Sequence, residues 1–523
     1  MSEIPKIKAQ IVSRFNISGY QIRSDASIFL AQFIAPMPDA ERKRWLASIT
    51  GHVQGQGLDL PVVEKRHIEL AIKEASNTGL EDNESVFSVI NAFDVPKFRY
   101  CEEKRKFLPV SGGGGGCRRD LLPGPDAKAE YIRDRYMMLW QKTSRHEMFN
   151  ATRDGMVGNS VKRLTLRKIE TLLATSKMNE VVILGLLTQL TEGKFYLEDP
   201  TGVVPIDLSE TVFSSGLFCE GCFVLACGKY RDGTLKVEEM GFPVSELASS
   251  SRAYFGTANT WGRRSRTLLK ASRNLAELEK TNREDSIVFL SDCWLDNPVV
   301  LDKLKMLLQG YNEFPPVAIV LMGPFSKMTE DPYSLKGRFA ALGEILAGCE
   351  GLKMQTELVL VPSCDDPTAA NILPRPPLPE CLVTDLKKRY PRITLATNPC
   401  RLQYCTQQIV VFRMDLVTKL CRNTIHFPKS GQLEDHFART LISQGTLAPL
   451  HPIALPVHWN HDAALALYPL PDLVVVGDPS QGFQVTEQEC TVLNAGSFPK
   501  SKFAFKVYIP STRTVEDSQI PDD

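Results

Sequence analysis

Excess charge of either sign is missing from this chain. Of its 523 residues, 61 are Lys or Arg and 61 are Asp or Glu, so the formal net charge is zero. Gripping nucleic acid mainly through its phosphates calls for a basic domain, and the balance disfavours that role. Long apolar runs are missing too. The richest, Val181–Leu187 and Val317–Met322, fall far short of the roughly 20 residues that cross a bilayer. No compact apolar segment with a small-residue cleavage site opens the chain; Ile4, Ile7, Ile11 and Phe15 instead recur at helical spacing among charges. An intracellular protein is expected. The 13 cysteines are scattered, and the single CxxC, Cys219–Cys222, has no second pair to complete a zinc site, which points to reduced core thiols and a reducing compartment. Histidine is scarce, at eight residues, and the only close pair, His458 and His461, has no acidic or thiol ligands at a recognisable spacing. No GxSxG elbow, Walker loop or paired-acid motif is present.

What is present is a globular composition, 43% hydrophobic and 23% charged, long enough for three or four domains. Residues 1–95 read as a small helical domain. Its apolar faces are Ile28, Phe29, Phe33 and Ile34, then Trp45, Leu46 and Ile49, then Val86, Phe87, Val89, Ile90 and Phe93. Residues 96–125, with the five-glycine run Gly112–Gly116, read as a linker, because no strand, Lys or Ser/Thr is placed to make that run a phosphate loop. Residues 126–160 read as a charged helical strut.

From 161 to 283 the period becomes strand-like. A helix is expected over Leu164–Leu173, then short strands at Val181–Leu190, Phe195–Glu198, Val203–Leu208, Cys222–Tyr230 and Thr234–Met240. Turn signals at Glu192-Gly193, Asp199–Gly202 and Asp232-Gly233 separate them. Five short antiparallel strands suggest an OB-like barrel. It lacks the basic, aromatic groove that grips single strands, so a protein-contacting barrel is expected. From 284 to 523 strands and helices alternate, implying a helix-layered sheet. The fold class expected is therefore multi-domain α+β.

In such a sheet, functional groups gather at the carboxyl ends of the strands. Those ends read Ser291-Asp292-Cys293-Trp294, Gly323-Pro324-Phe325, Pro362-Ser363-Cys364-Asp365-Asp366, Phe412-Arg413 and Gly477-Asp478-Pro479-Ser480. The layout resembles the calcineurin-like metallophosphoesterases, whose active members carry Asp-x-His, Gly-Asp, Gly-Asn-His-Asp/Glu, His and Gly-His-x-His there. Asp292 keeps the first carboxylate. Trp294 stands where a histidine ligand belongs, Pro324 replaces the bridging aspartate, and Ser363-Cys364-Asp365 and Gly477–Ser480 replace the remaining ligand strings. Two divalent ions need several convergent His and Asp ligands. The positions Asp292, Trp294, Gly323, Pro324, Asp365, Asp366, Gly477 and Asp478 thus read as a vestigial site, with no catalytic residue, metal ligand or cofactor expected.

A helical N-terminal domain, an OB barrel and an inactive phosphoesterase domain in this order resemble the B subunits of the eukaryotic replicative DNA polymerases. EGKFYLEDPTGVVPIDLS from Glu192, ILPRPPLPE from Ile372, NPCRLQYCTQ from Asn398, YPLPDLVVVGD from Tyr468 and NAGSFPKSKFAFKVYIPSTRTVEDS from Asn494 are similar to that family's segments. NAFDVPKFRY at Asn91 and the KAEYIRDRYMMLWQKTSRHEMF helix from Lys128 are similar to its epsilon branch in particular. The resemblance implies a nuclear, non-catalytic scaffold in chromosomal replication. It implies binding of the zinc-carrying C-terminal region of the polymerase catalytic subunit through the OB and phosphoesterase domains. Small histone-fold subunits would be reached through the holoenzyme, and DNA indirectly through the complex; no membrane is involved. The N-terminal domain, similar to a AAA+ C-terminal helical domain, would dock to the GINS component of the replicative helicase. Candidate partner contacts are Trp294, Phe325, Arg401, Tyr404 and Phe498, although for Trp294 and Phe498 filling the space left by missing metals is the favoured reading. Three alternatives remain at this level: the alpha or delta branch, an active phosphoesterase or nuclease, or a stand-alone single-strand-binding OB protein.

Overall fold

In a computed structural model, the described residues are 4–35, 37, 39–55, 61–77, 86–110, 121–149, 164–262, 269–328, 332–367 and 369–521. The glycine run Gly112–Gly116 lies outside them. The chain divides into two compact units.

The first unit takes in residues up to Val86 and two short later segments, Gly256–Asn259 and Arg263–Leu275. Its helices are Ile4–Ile17, Ser24–Ile34, Asp39–Gly55 and Lys65–Asn77, with a small parallel pairing of Gln21–Ile22 and Val62–Val63 between them. The helical spacing of Ile7, Ile11 and Phe15 sets one buried stripe, which packs with Leu30, Ile34, Ile49, Val53 and Ile68. Phe33 and Trp45 meet edge to face, their centroids 5.4 Å apart.

The helical face expected over Val86–Phe93 is instead a strand. Phe87–Asn91 pairs antiparallel with Cys400–Tyr404 in the second unit, and Ala92 N donates to Thr397 Oγ1 at 2.8 Å. Apolar residues at Phe87, Val89 and Ile90 satisfy a strand as readily as a helix, and a waiting sheet edge decides between them. The expected linker 96–125 is also partly built: Phe98–Cys101 and Lys106–Pro109 form a hairpin. Phe107 of this hairpin stacks on Phe255 at 4.5 Å.

In the second unit, Lys177–Thr191, Lys194–Asp199, Gly202–Asp207, Phe223–Arg231 and Thr234–Gly241 form one sheet, and Thr234–Gly241 also pairs with Gly202–Asp207. The pairing of these five strands therefore closes into a ring. The turns are where glycine is needed: Gly193 and Gly233 take φ of +76° and +82°. Leu164–Leu173 is not one helix. Leu166–Arg167 pairs with Lys177–Thr191 as a short extra strand, and a helix starts only at Ile169, whose N–H donates to Asp199 Oδ2.

The C-terminal half, joined by Phe87–Asn91, builds two six-stranded sheets. The first runs Ile393–Leu395, Glu357–Val361, Ala318–Met322, Ile287–Leu290, Ala504–Ile509 and Thr514–Gln519. The second runs Phe483–Glu487, Cys490–Asn494, Leu473–Gly477, Gln407–Arg413, Cys400–Tyr404 and Phe87–Asn91. Helices Pro298–Gly310, Pro332–Ala347 and Glu380–Arg389 cover the first sheet, burying Leu304, Phe339 and Leu386 among the strand residues Val288, Ile319 and Leu360. Asn297 caps the first of these helices, its Oδ1 accepting from Val299 N at 3.0 Å. Among the described residues, no helix is long and apolar enough to cross a membrane.

The helix Asp126–Arg145 packs Tyr136 and Leu139 against Leu184, Leu186 and Phe223 of the ring. Near its end, the Lys142 ammonium is buried and donates to Ser443 O at 3.0 Å, on the last turn of helix Leu433–Gln444. Burial pushes Lys142 down to about 8, with Glu246 pulling the other way. The unfolded lysine titrates near 10.4. Below pH 8 the folded chain must therefore hold a costly buried charge, and stability is expected to rise between about pH 8 and 10.4 as that charge is lost. Lys142→Met should abolish this rise, which is on the order of 3 kcal/mol, and stabilise the protein at pH 7 by about 1–2 kcal/mol. Denaturant titrations of both proteins at pH 7 and 9.5 check this; parallel pH profiles would contradict it.

Candidate functional site

The carboxyl ends of four strands converge where the two large sheets meet. Arg413 ends the second-sheet strand Gln407–Arg413, and its side chain is only 4% exposed. Its guanidinium reaches the three neighbouring strand ends. Nη2 donates to Asp292 Oδ1 at 2.6 Å, just past Ile287–Leu290. Nε donates to Gly323 O at 2.5 Å, just past Ala318–Met322. Nη1 donates to Gly477 O at 2.8 Å, at the end of Leu473–Gly477, and to Asp415 Oδ1 at 2.6 Å. Burial alone would lower its pKa, but the Asp292 and Asp415 charges hold it above the ordinary arginine value.

The glycines at these ends make room. A Cβ on Gly477 would lie 2.9 Å from Arg413 Cδ and 2.8 Å from Ser291 Oγ; one on Gly323 would lie 2.0 Å from Asp366 Oδ2. Asp292 itself takes a left-handed backbone, φ +60°, which turns its carboxylate toward the guanidinium.

Two further acids at these strand ends, Asp366 and Asp478, are turned to backbone amides. Asp366 accepts from Phe325 N at 2.8 Å and Ser363 N at 2.7 Å, and burial raises its pKa. Asp478 accepts from Val417 N at 2.8 Å, in the first turn of helix Leu416–Asn423, and from Ser480 N at 2.9 Å. Burial raises its pKa as well. The backbone N–H of Asp365 donates to Ser363 Oγ at 3.1 Å. Pro324 has no side-chain donor to offer a metal. Trp294 lies in the core beneath the first sheet's helices, with Lys327 Nζ and Lys500 Nζ 5.3 and 5.8 Å from its ring centroid.

The residues present do not fit the divalent metals that active phosphoesterases hold. The point of convergence carries a cationic side chain, and a divalent ion beside it would meet like charge. Among the described residues, no group of three or more His, Cys, Asp or Glu could hold a metal ion. The HWNH histidines are engaged separately: His458 Nδ1 lies 2.9 Å from Leu121 O, and His461 packs edge-on against Phe93. The CxxC thiols are buried, Cys219 donating to Leu420 O and Cys222 to Pro449 O.

Four of the candidate partner contacts lie in the interior of the chain. Phe325, Tyr404 and Phe498 have no exposed surface, and Arg401 is 6% exposed. Phe325 packs on Phe339 at 5.2 Å, Phe498 on Phe503 at 5.3 Å, and the Tyr404 hydroxyl donates to Asp285. Arg401 donates to the carbonyls of Thr260, Trp261, Ala463 and Ala466. As the chain stands, all four are interior groups, because aromatic volume and a five-donor guanidinium serve packing as well as contact.

Two residues drew no role from the sequence reading. Arg413 is one; a cation ending the apolar strand QQIVVFR, at a strand end where the resemblance expects histidine, was its signal. Arg375 is the other. It is 1% exposed and holds the loop after Glu357–Val361 by donating to the carbonyls of Cys364 and Asp366. Nothing in the proline-rich ILPRPPLPE string marks it.

Comparisons with known proteins add identity to this geometry. A family model for the DNA polymerase alpha/epsilon B subunit matches residues 287–485. Models for the OB-fold domain of DNA polymerase epsilon subunit 2-like proteins and for the N terminus of DNA polymerases epsilon match residues 125–244 and 3–75. DNA polymerase epsilon subunit 2 of Drosophila melanogaster is 56% identical over 521 residues, covering 99% of this chain and 98% of its own. The Homo sapiens protein of the same name is 41% identical, with 98% and 99% covered. The DNA polymerase epsilon B subunit of Saccharomyces cerevisiae is 25% identical, with 87% and 78% covered. Because the epsilon relatives span nearly the whole chain, the alpha and delta alternatives give way, and the chain belongs to the DNA polymerase epsilon subunit 2 family, also called the epsilon B subunits.

Proposed function

We propose that this chain is the non-catalytic accessory subunit of a nuclear DNA polymerase epsilon, acting as a scaffold in chromosomal replication. Whole-length identity to epsilon subunit 2 proteins carries the reading. A phosphoesterase-like domain whose strand ends are filled by Arg413 is in keeping with a structural role.

In this reading the five-strand ring is an OB barrel. Together with the two-sheet domain it binds the zinc-carrying C-terminal region of the large catalytic subunit, and the helical unit faces the GINS component of the helicase. Contact with the histone-fold subunits and with DNA is indirect, through the assembled polymerase. Near-zero net charge favours partners matched by shape over partners matched by phosphate charge.

Co-expression tests it. The full chain should co-elute at one-to-one stoichiometry with the epsilon catalytic subunit, and should elute alone when that subunit lacks its C-terminal region. Separate elution from the intact catalytic subunit would overturn the proposal.

A further inference from the structure

We propose that Arg413 is a built-in organic replacement for the metal centre, a permanent internal cation that ties the strand ends of the two large sheets together. The inference rests on reading those ends as a former metal site. Its test reads stability, so its failure is distinguishable from failure of the scaffold role.

The arrangement of acceptors carries the idea. The guanidinium gathers two carboxylates and two glycine carbonyls, an all-oxygen set of the kind that hard cations attract. The set is drawn from both sheets. Asp292 and Gly323 follow strands of the first, whereas Arg413 and Gly477 belong to the second. An ion pair within one sheet would not need this reach.

Space and backbone are shaped to the same end. A side chain at Gly477 would run into both Arg413 and Ser291 Oγ. The left-handed turn at Asp292 places a carboxylate opposite Nη2. Asp366 and Asp478, the other buried acids at these strand ends, are satisfied by main-chain amides and leave the guanidinium to its own partners.

Arginine suits this task where lysine would not. Its planar fork offers five donors in fixed directions and stays charged at any physiological pH. A metal pair can be lost to a chelator or starved of supply; a side chain cannot. The domain thereby keeps a cross-sheet anchor that is independent of metal availability.

Chemical rescue is the test, on the full chain. Arg413→Ala should lower the unfolding midpoint by roughly 5–10 °C, since it leaves Asp292 buried and unpaired. Millimolar guanidinium or methylguanidinium, far below denaturing concentrations, should raise the variant's midpoint while leaving the wild type unmoved. Methylammonium, with the same charge and no fork, should not. An unchanged midpoint in Arg413→Ala would overturn the proposal, as would rescue by manganese or zinc equal to that by guanidinium, or a folded variant that no guanidinium rescues.

Should Arg413→Ala give no folded protein, Arg413→Met and Asp292→Asn, each alone and the two combined, supply the answer. The double variant, with no buried unpaired charge, should unfold at a higher temperature than the single one. A double variant as unstable as the sum of its singles would overturn the proposal.

Discussion

Truncating Arg401 to Ala is expected to cost the chain roughly 3–5 kcal/mol of stability and nothing in partner affinity once the fold is populated. The side chain sits in the strand Cys400–Tyr404, at 6% exposure, and its guanidinium donates to main-chain carbonyls. Burial pushes its pKa down to about 9. Two effects therefore oppose one another. Removing a buried charge that is solvated only by carbonyl dipoles is favourable. Removing the donors to Thr260, Trp261, Ala463 and Ala466 leaves those oxygens short of partners, at about 1–3 kcal/mol for each one fully orphaned.

The second effect wins for Ala, because the cavity under the Trp261 ring, 4.7 Å from the guanidinium carbon, adds to it. Arg401→Met keeps the stem volume and sheds the charge, so it should lose less than Arg401→Ala. Denaturant unfolding of both variants, alongside co-elution with the catalytic subunit, separates the roles. A variant of unchanged stability that no longer associates would make Arg401 a contact residue after all.

Arg401 also shows where sequence reasoning stops. Alternation in CRLQY suggests a strand with one wet face, yet every residue of it is buried, because arginine and glutamine reach backbone carbonyls inside the protein. Pattern alone cannot separate a polar side chain facing water from one facing buried carbonyls. Where a strand is buried by apolar residues, the reading succeeds. Ile287–Leu290 and Leu473–Gly477 are continuous apolar runs, as suits inner strands; the second is parallel to both neighbours, the first parallel to Ala318–Met322 and antiparallel to Ala504–Ile509. The five ring strands were legible through their turns, at Gly193 and Asp232-Gly233.

The strand Phe87–Asn91 was not legible, since its partner lies some three hundred residues later and no local signal announces a sheet edge. The site divides in the same way. That Trp294, Pro324 and Ser480 are not metal-ligand residue types could be read directly. What the acids at these strand ends bind could not. Asp292 answers to Arg413, Asp366 to the amides of Phe325 and Ser363, and Asp478 to the amide of Val417, and most of these pairings are long-range.

On the scaffold reading these strand ends serve as a structural junction, and the most direct measurement pairs metal content with turnover on the purified full chain. After incubation with manganese or zinc and removal of free ion, elemental analysis should find no stoichiometric divalent metal. Hydrolysis of a phosphodiester substrate should stay at the no-protein background, because Arg413 already occupies the point where Asp292, Gly323 and Gly477 converge. Two bound ions per chain, with metal-dependent turnover that disappears in Asp292→Ala and Asp478→Ala, would contradict the account.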